Sequence, residues 1–376
     1  MNDLNVIFAK DKTLLENLPI SINTLNLNWN NLTAESLQGA LIYLNRNVIN
    51  LNLSYNELGY VGVIQALDWL KPKSVKHLNL TYNQLIIDTD SEWINLWNKL
   101  PPSIERLLLG HEPLKSITST VGDNNKPNLS TLKYLEVINV NPFNQLNLTV
   151  WISCLPQNLI GLNLDRNLTH LDAVSLQKLF ERLPQSLRLL SLENNMMLGD
   201  YSANELEMAF SKLPQNIIEL NLRNTGIYKK PGQELKKIFS PLNRLQVLHL
   251  NDLERLSAED IKQLNGSFPN LQTLYIDHPT LQKLNSEKLK ELQQVFSHVP
   301  NVIIKTFPNL GINSNDKHAM VNLAITFGFK KPVPTLVDLT SFFIASRPKI
   351  KTMDSHGKKL LPSHMDELVE GIKNSL

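Results

Sequence analysis

A short spelling returns down this chain at nearly constant intervals. Ile22 to Leu32 reads I-N-T-L-N-L-N-W-N-N-L, Val48 to Leu58 reads V-I-N-L-N-L-S-Y-N-E-L, and Val75 to Leu85 reads V-K-H-L-N-L-T-Y-N-Q-L. All obey L-x-x-L-x-L-x-x-N-x-L, and the stretches Leu159 to Thr169 and Leu187 to Met197 fit it through the asparagine slot, held by Asn167 and Asn195. Looser copies start at Ile104, Leu132, Ile217, Leu245 and Leu271, and a degenerate one at Val302. Successive starts lie 26 to 31 residues apart. Such a period constrains the fold strongly, because a unit of this length cannot bury its apolar face alone and must stack on its neighbours.

Each repeat is expected to follow one plan. The L-x-L core forms a short strand with both leucines inward and the residue between them on the opposite, concave face. The asparagine bonds backbone groups of the turn that follows. A helix then returns on the convex side. Ser202-Ala203-Asn204-Glu205 spells a capping box, and Thr33 and Ser257 are N-cap candidates. Leu37, Leu41 and Leu44 share a helical face, as do Trp93, Trp97 and Leu100. Pro19, Pro72, Pro101, Pro156, Pro184 and Pro214 each stand three residues before the next repeat's first apolar position, where a helix must stop. Two stretches break the plan. Gly110 to Leu129 reads as a loop-like return and Tyr228 to Gly232 as an inserted turn, and each is a candidate surface excursion for binding.

The 376 residues divide into a cap over 1–21, the repeats over 22–307, and a helical C-terminal cap or small module over 308–376. In the cap a helix is expected around Leu4–Asn17. In the tail three are expected, over Asp316–Phe329, Thr335–Ser346 and Ser363–Asn374. The net charge of +2 gives no global field for nucleic acid, and the single cysteine rules out an internal disulfide framework. The opening MNDLNVIFAKDK lacks the pattern of a secretory signal, and no run approaches the roughly 18 apolar residues of a membrane span. The expectation is a monomer without a membrane or nucleic-acid partner.

The repeated motif resembles that of the leucine-rich-repeat family, and its period near 28 the ribonuclease-inhibitor type. That resemblance implies an α/β horseshoe solenoid of about 10–11 repeats, a parallel sheet on the concave face, helices on the convex face, and a small α-helical C-terminal region. It also implies non-catalytic binding of a protein through the concave face. The Asn and Leu richness, the L-P turns and the helical tail are similar to leucine-rich-repeat effectors of Legionella-type bacteria. Such effectors pass from the bacterial cytoplasm into the host cell cytosol by type IV secretion. Met365-Asp366-Glu367-Leu368-Val369-Glu370 is compatible with their Glu-containing C-terminal signal. The alternative is a substrate-recruiting effector of ubiquitin-ligase type, with its activity in the C-terminal helical region. The C-x-D motif of the cysteine-dependent members is absent, since Leu155 and Pro156 follow Cys154, and Cys154 reads as a buried small side chain.

The concave positions supply the candidate site. The slot before the asparagine holds Trp29, Tyr55, Tyr82 and His111, a continuous aromatic row on strands about 4.8 Å apart. Further along, Arg166, Glu193, Arg223, Asp252, Tyr275 and His278 make the surface charged and polar. Aromatic and Arg side chains dominate binding energy at interfaces, so the first group is expected to anchor a protein partner and the second to set its register. Between the leucines stand Asn26, Asn52 and Asn79 in the aromatic half. His249, Asp277 and His278 fall short of a metal site, lacking a further ligand at fixed spacing. No phosphate-cradling glycine loop or nucleophile elbow is spelled, so neither catalytic residues nor cofactors are expected.

Overall fold

A computed structural model describes residues 15–16, 18–37, 40–87, 89–110, 131–139, 152, 155–306 and 317–329. Among them run strands β1 (Thr24–Asn26), β2 (Asn50–Asn52), β3 (His77–Asn79), β4 (Arg106–Gly110), β5 (Tyr134–Ile138) and β6 (Gly161–Asn163). The series continues as β7 (Leu189–Ser191), β8 (Glu219–Asn221), β9 (Val247–Leu250), β10 (Thr273–Asp277) and β11 (Asn301–Lys305). They form one parallel sheet whose spatial order is the chain order. The pairing aligns Leu51, Leu78 and Leu107 through to Leu274, with the residues between the paired leucines aligned on the opposite face. Period-2 alternation thus sends the leucines into the core, where Leu53, Leu164 and Leu250 are wholly buried.

Returning on the convex side are α1 (Ala34–Leu37), α2 (Gly59–Leu70), α3 (Asp90–Lys99), α4 (Ala173–Glu181), α5 (Ala203–Ser211), α6 (Gly232–Phe239) and α7 (Ala258–Gln263). After β10 come α8 (His278–Lys283) and α9 (Ser286–Val295). Thr33 caps α1, Ser202 with Glu205 closes a capping box on α5, and Ser257 with Asp260 closes another on α7. Leu37, Leu41 and Leu44 are buried, although α1 gives way to a 3-10 turn over Ala40–Tyr43. Trp93 and Trp97 pack edge to face at 4.9 Å. The carbonyls of Pro19, Pro101, Pro156, Pro184 and Pro214 each accept the N–H three residues on, so these prolines start the turn as well as end the helix. Phe180, Phe210, Phe239, Phe268 and Phe296 fill the space between successive helices and the sheet.

The asparagine slot does more than close its own turn. Asn56 is buried, and its Nδ2 donates to Leu53 O at 2.9 Å and to Leu27 O of the preceding repeat at 3.0 Å. Its Oδ1 accepts Asn30 N–H at 3.1 Å and Leu32 N–H at 3.0 Å, again in the preceding repeat. Asn195 likewise reaches back to Leu164 O and Leu168 N–H. The amide is a rivet between repeats.

Two expectations need correction. The last repeat starts at Val299, not Val302: Val302 pairs with Leu274, which occupies the fourth position of its own repeat. With Val299 buried, the last interval is 28 residues, the difference between Val299 and Leu271, rather than 31. Tyr228 to Gly232 is no surface excursion. Ile227–Lys229 is a 3-10 turn whose Tyr228 is fully buried, and a Cβ on Gly232 would lie 2.4 Å from the Asp260 carbonyl. The apolar tyrosine ring draws that segment into the core.

Helix α10 (Lys317–Thr326), within the expected first tail helix, lies against β11. Ala324 and Phe329 are buried, and Phe327 meets the His278 ring edge-on at 5.7 Å. The expected N-terminal helix apart from Leu15 and Glu16, the other two tail helices, Cys154, His111 and nearly all of Gly110 to Leu129 lie outside the described residues.

Candidate functional site

The residue before the asparagine slot sits where the backbone leaves the sheet. Trp29, Tyr55 and Tyr82 have φ of 57°, 55° and 57°, and Asn139, Arg166, Asn194, Asn224 and Asp252 share this left-handed conformation. It lets the N–H reach the next repeat, as from Tyr55 to Thr81 O at 2.9 Å and from Arg166 to Glu193 O at 3.1 Å. Asn and Asp tolerate positive φ, whereas bulky side chains are rare there. The early repeats therefore place aromatic rings where the backbone suits them least.

Those rings stack. Trp29 on Tyr55 and Tyr55 on Tyr82 have centroids 4.0 Å apart and planes 14° from parallel. Both faces of Tyr55 are covered, so the row turns its edges outward, and Trp29 remains 68% exposed. Burial, with the hydrogen bond to Tyr55, pushes the Tyr82 phenol up to about 12. Beside the row, Asn26, Asn52 and Asn79 lie in register. A groove of about 240 Å³ runs over Thr24, Asn50, Asn52, His77, Asn79 and Arg106.

In the other half the charges mostly satisfy one another. Arg223 reaches Asp277 Oδ2 at 2.7 Å and Glu193 Oε1 at 3.2 Å, and its side chain is only 14% exposed. Burial raises the Asp277 carboxyl while Arg223 opposes the shift. Asp165 accepts the Ser191 hydroxyl at 2.6 Å and Glu193 N–H at 2.8 Å, yet burial lifts it to about 6. Burial, then the neighbouring Glu254, raises Asp252. Tyr275 stacks on His249 at 4.2 Å and carries Lys305 Nζ 5.1 Å from its ring centre. Arg166 is exposed and, among the described residues, makes no ion pair. A cleft of about 310 Å³ runs over Arg166, Glu193, Arg223, Asp252, Glu254 and Asp277.

Arg166, Glu193, Arg223 and Asp252 thus come together, and Tyr275 joins them through the Lys305 neighbourhood. His278 holds the slot before the asparagine position, as expected, but there it opens α8 instead of taking the left-handed conformation, because Pro279 after it starts a helix. His249 bonds Glu219 at 3.0 Å and burial lowers its pKa, while Asp277 turns to Arg223. The three candidate ligands therefore face different partners, and no group of three His, Cys, Asp or Glu suited to a metal occurs among the described residues.

Sequence reasoning missed Tyr134, Gly161 and Lys305. A Cβ on Gly161 would lie 2.6 Å from Tyr134 Cδ1, so the missing side chain makes room for the ring on the concave face. The two line a central hollow of about 220 Å³ with Arg106, Glu136, Glu219 and His249. The signal was available: the residue before the first strand leucine points outward by the same alternation. No helix among the described residues is long and apolar enough to cross a membrane.

No protein-family profile matches the chain, and no curated protein matches it. Among solved structures, the leucine-rich repeat-containing protein LegL7 from Legionella pneumophila is similar with a TM-score of 0.61 at 22% identity, over 89% of this chain and 97% of that one. The yeast Rad7 and Elc1 complex is similar with a TM-score of 0.43 at 18% identity, over 81% of this chain and 87% of that one.

Proposed function

We propose that this leucine-rich-repeat solenoid is a non-catalytic module that captures a protein partner on its concave face, anchored at Trp29, Tyr55 and Tyr82. The observation that carries this reading is the placement of three stacked aromatic rings in left-handed backbone, where the later repeats use Asn, Asp and, once, Arg166. Strain of this kind, of order 1 kcal/mol per residue, persists where the side chain has a use. Exposed Arg166 and half-buried Asp252 then set the partner's register, while Arg223 with Glu193 stiffens the face beneath.

Affinity capture from host-cell and bacterial lysates tests the proposal, comparing the wild type with Trp29→Asn/Tyr82→Asn. Asparagine suits the positive φ, so the variant keeps its fold, as circular dichroism will show. A partner held by the wild type and lost from the folded variant is the expected result. A partner held by both moves the site off the aromatic row.

Delivery into a host cell is the finer part of the same proposal, supported by the Asn- and Leu-rich repeats and the Met365–Glu370 segment. A translocation reporter fused to the full chain should signal from bacteria with a working type IV secretion system. It should fall silent in a secretion-deficient strain, and equal signal from both strains discards the effector role.

A further inference from the structure

The mid-strand asparagines share one construction. The Oδ1 atoms of Asn26, Asn52 and Asn79 accept the N–H two residues on, from Asn28 at 3.2 Å, Ser54 at 3.0 Å and Thr81 at 3.0 Å. The Ser54 and Thr81 hydroxyls donate to the same oxygens at 2.7 and 2.9 Å. An N–H donates only to the oxygen of an amide, so these bonds determine which end of each side chain is held down. The Nδ2 groups find no acceptor among the described residues, and they stand in register on adjacent strands about 4.8 Å apart.

Asn221 repeats this construction in the other half of the sheet. Its Oδ1 accepts Arg223 N–H at 3.2 Å, and its Nδ2 donates to Glu193 Oε2 at 2.8 Å and Ser191 Oγ at 3.0 Å. The fold itself therefore displays what an amide so placed takes: a carboxylate oxygen, the shorter of the two bonds, beside a hydroxyl. Among the described residues no carboxylate stands beside the three amides: the outward residues on β1 to β4 include no Asp or Glu. The neighbouring groove has His77 and Arg106 on its flank, the latter shared with Glu136.

We propose that the row Asn26–Asn52–Asn79 is the docking site for an acidic segment of the protein partner. Its Asp or Glu carboxylates accept from the Nδ2 groups as Glu193 does from Asn221, with no carboxylate on the outward positions of β1 to β4 to repel them among the described residues. This rests on the concave-capture reading and names the chemistry that the partner brings to the aromatic half.

Fluorescence anisotropy with the full chain tests it, using a labelled Glu-Ser repeat peptide beside its Gln-Ser and Lys-Ser counterparts. The variant is Asn52→Asp/Asn79→Asp, isosteric and still able to accept the N–H two residues on, so the turn is kept while the donor is lost. The acidic peptide should bind the wild type in preference to the other two, weaken with salt, and lose roughly tenfold to a hundredfold in affinity for the variant, the worth of one or two hydrogen bonds to a charged group. Equal binding of all three peptides, or equal binding of the acidic peptide by wild type and variant, overturns the proposal. Capture of the cellular partner separates the two readings. A partner lost from Trp29→Asn/Tyr82→Asn but held by Asn52→Asp/Asn79→Asp keeps concave capture and discards the acidic docking. A partner held by both variants discards the docking together with the aromatic anchor.

Discussion

Asp165 is a carboxylate held against its preference. Burial lifts it from 3.8 to about 6 despite bonds from Ser191 and Glu193. The folded state therefore keeps this proton to higher pH than the unfolded chain does, so ionisation costs stability above pH 6, and the cost vanishes as pH falls below about 4. Asp165→Asn retains an Oδ1 for both donors and should be more stable than the wild type at pH 7 by about 1–3 kcal/mol. Denaturant unfolding at pH 7 and pH 4 checks this, with the gain disappearing at the lower pH. The aromatic row yields a second prediction at this scale. Tyr55→Asn removes two stacking contacts and Trp29→Asn removes one, each worth about 0.5–1.5 kcal/mol, against similar relief of backbone strain. Urea unfolding should thus show Trp29→Asn close to neutral and Tyr55→Asn the more destabilising; the reverse order would refute the stacking argument, and a large loss from Trp29→Asn the strain argument. The row itself was legible in the sequence, because a fixed slot on adjacent strands forces its occupants together. The positive φ was not, since Trp and Tyr carry no sign of it.

Between elements the asparagine amide does the joining. Asn195 is wholly buried and bonds Leu164 O, Leu192 O and Leu168 N–H, so Asn195→Ala leaves all three without that partner. A loss of about 2–4 kcal/mol is expected in chemical denaturation. Thr225 occupies the same slot one repeat later and makes only the local bond to Leu222 O at 2.8 Å, which makes Asn195→Thr the milder change. Gly199 and Gly226 set a tighter condition. A Cβ on Gly199 would lie 2.2 Å from the Gly226 carbonyl, backbone against backbone, so Gly199→Ala should push two repeats apart and lower the melting temperature more than either asparagine change. The asparagine's local role could be read from its place before a turn. Its reach into the preceding repeat could not, because that partner lies about one repeat away in sequence and is adjacent only after stacking.

For the whole molecule the open question is the end of the sheet. β11 has β10 on one side, and α10 lies against it with Ala324 and Phe329 buried. Ending the chain after Thr306 removes that cover and leaves an apolar strand edge in water, so the truncated protein should associate on size-exclusion chromatography where the full chain elutes as a single species. A truncated protein that stays monodisperse with an unchanged melting temperature would show that α10 is dispensable. The repeats, their interval, the inward leucines and the outward columns all followed from the spelling, since one periodic pattern allows one way of burying its leucines. The phase of the last strand could also be read there: a start at Val302 puts Lys305 in the fourth position, whereas a start at Val299 puts Val302 and Ile304 in the two leucine positions, as the pairing with Leu274 has it. The spelling did not show that Arg223 is held by Glu193 and by Asp277, 54 residues away, whereas Arg166 makes no ion pair among the described residues. Local pattern determines which face a side chain takes, but which charges neutralise each other depends on distances that exist only once the repeats are stacked.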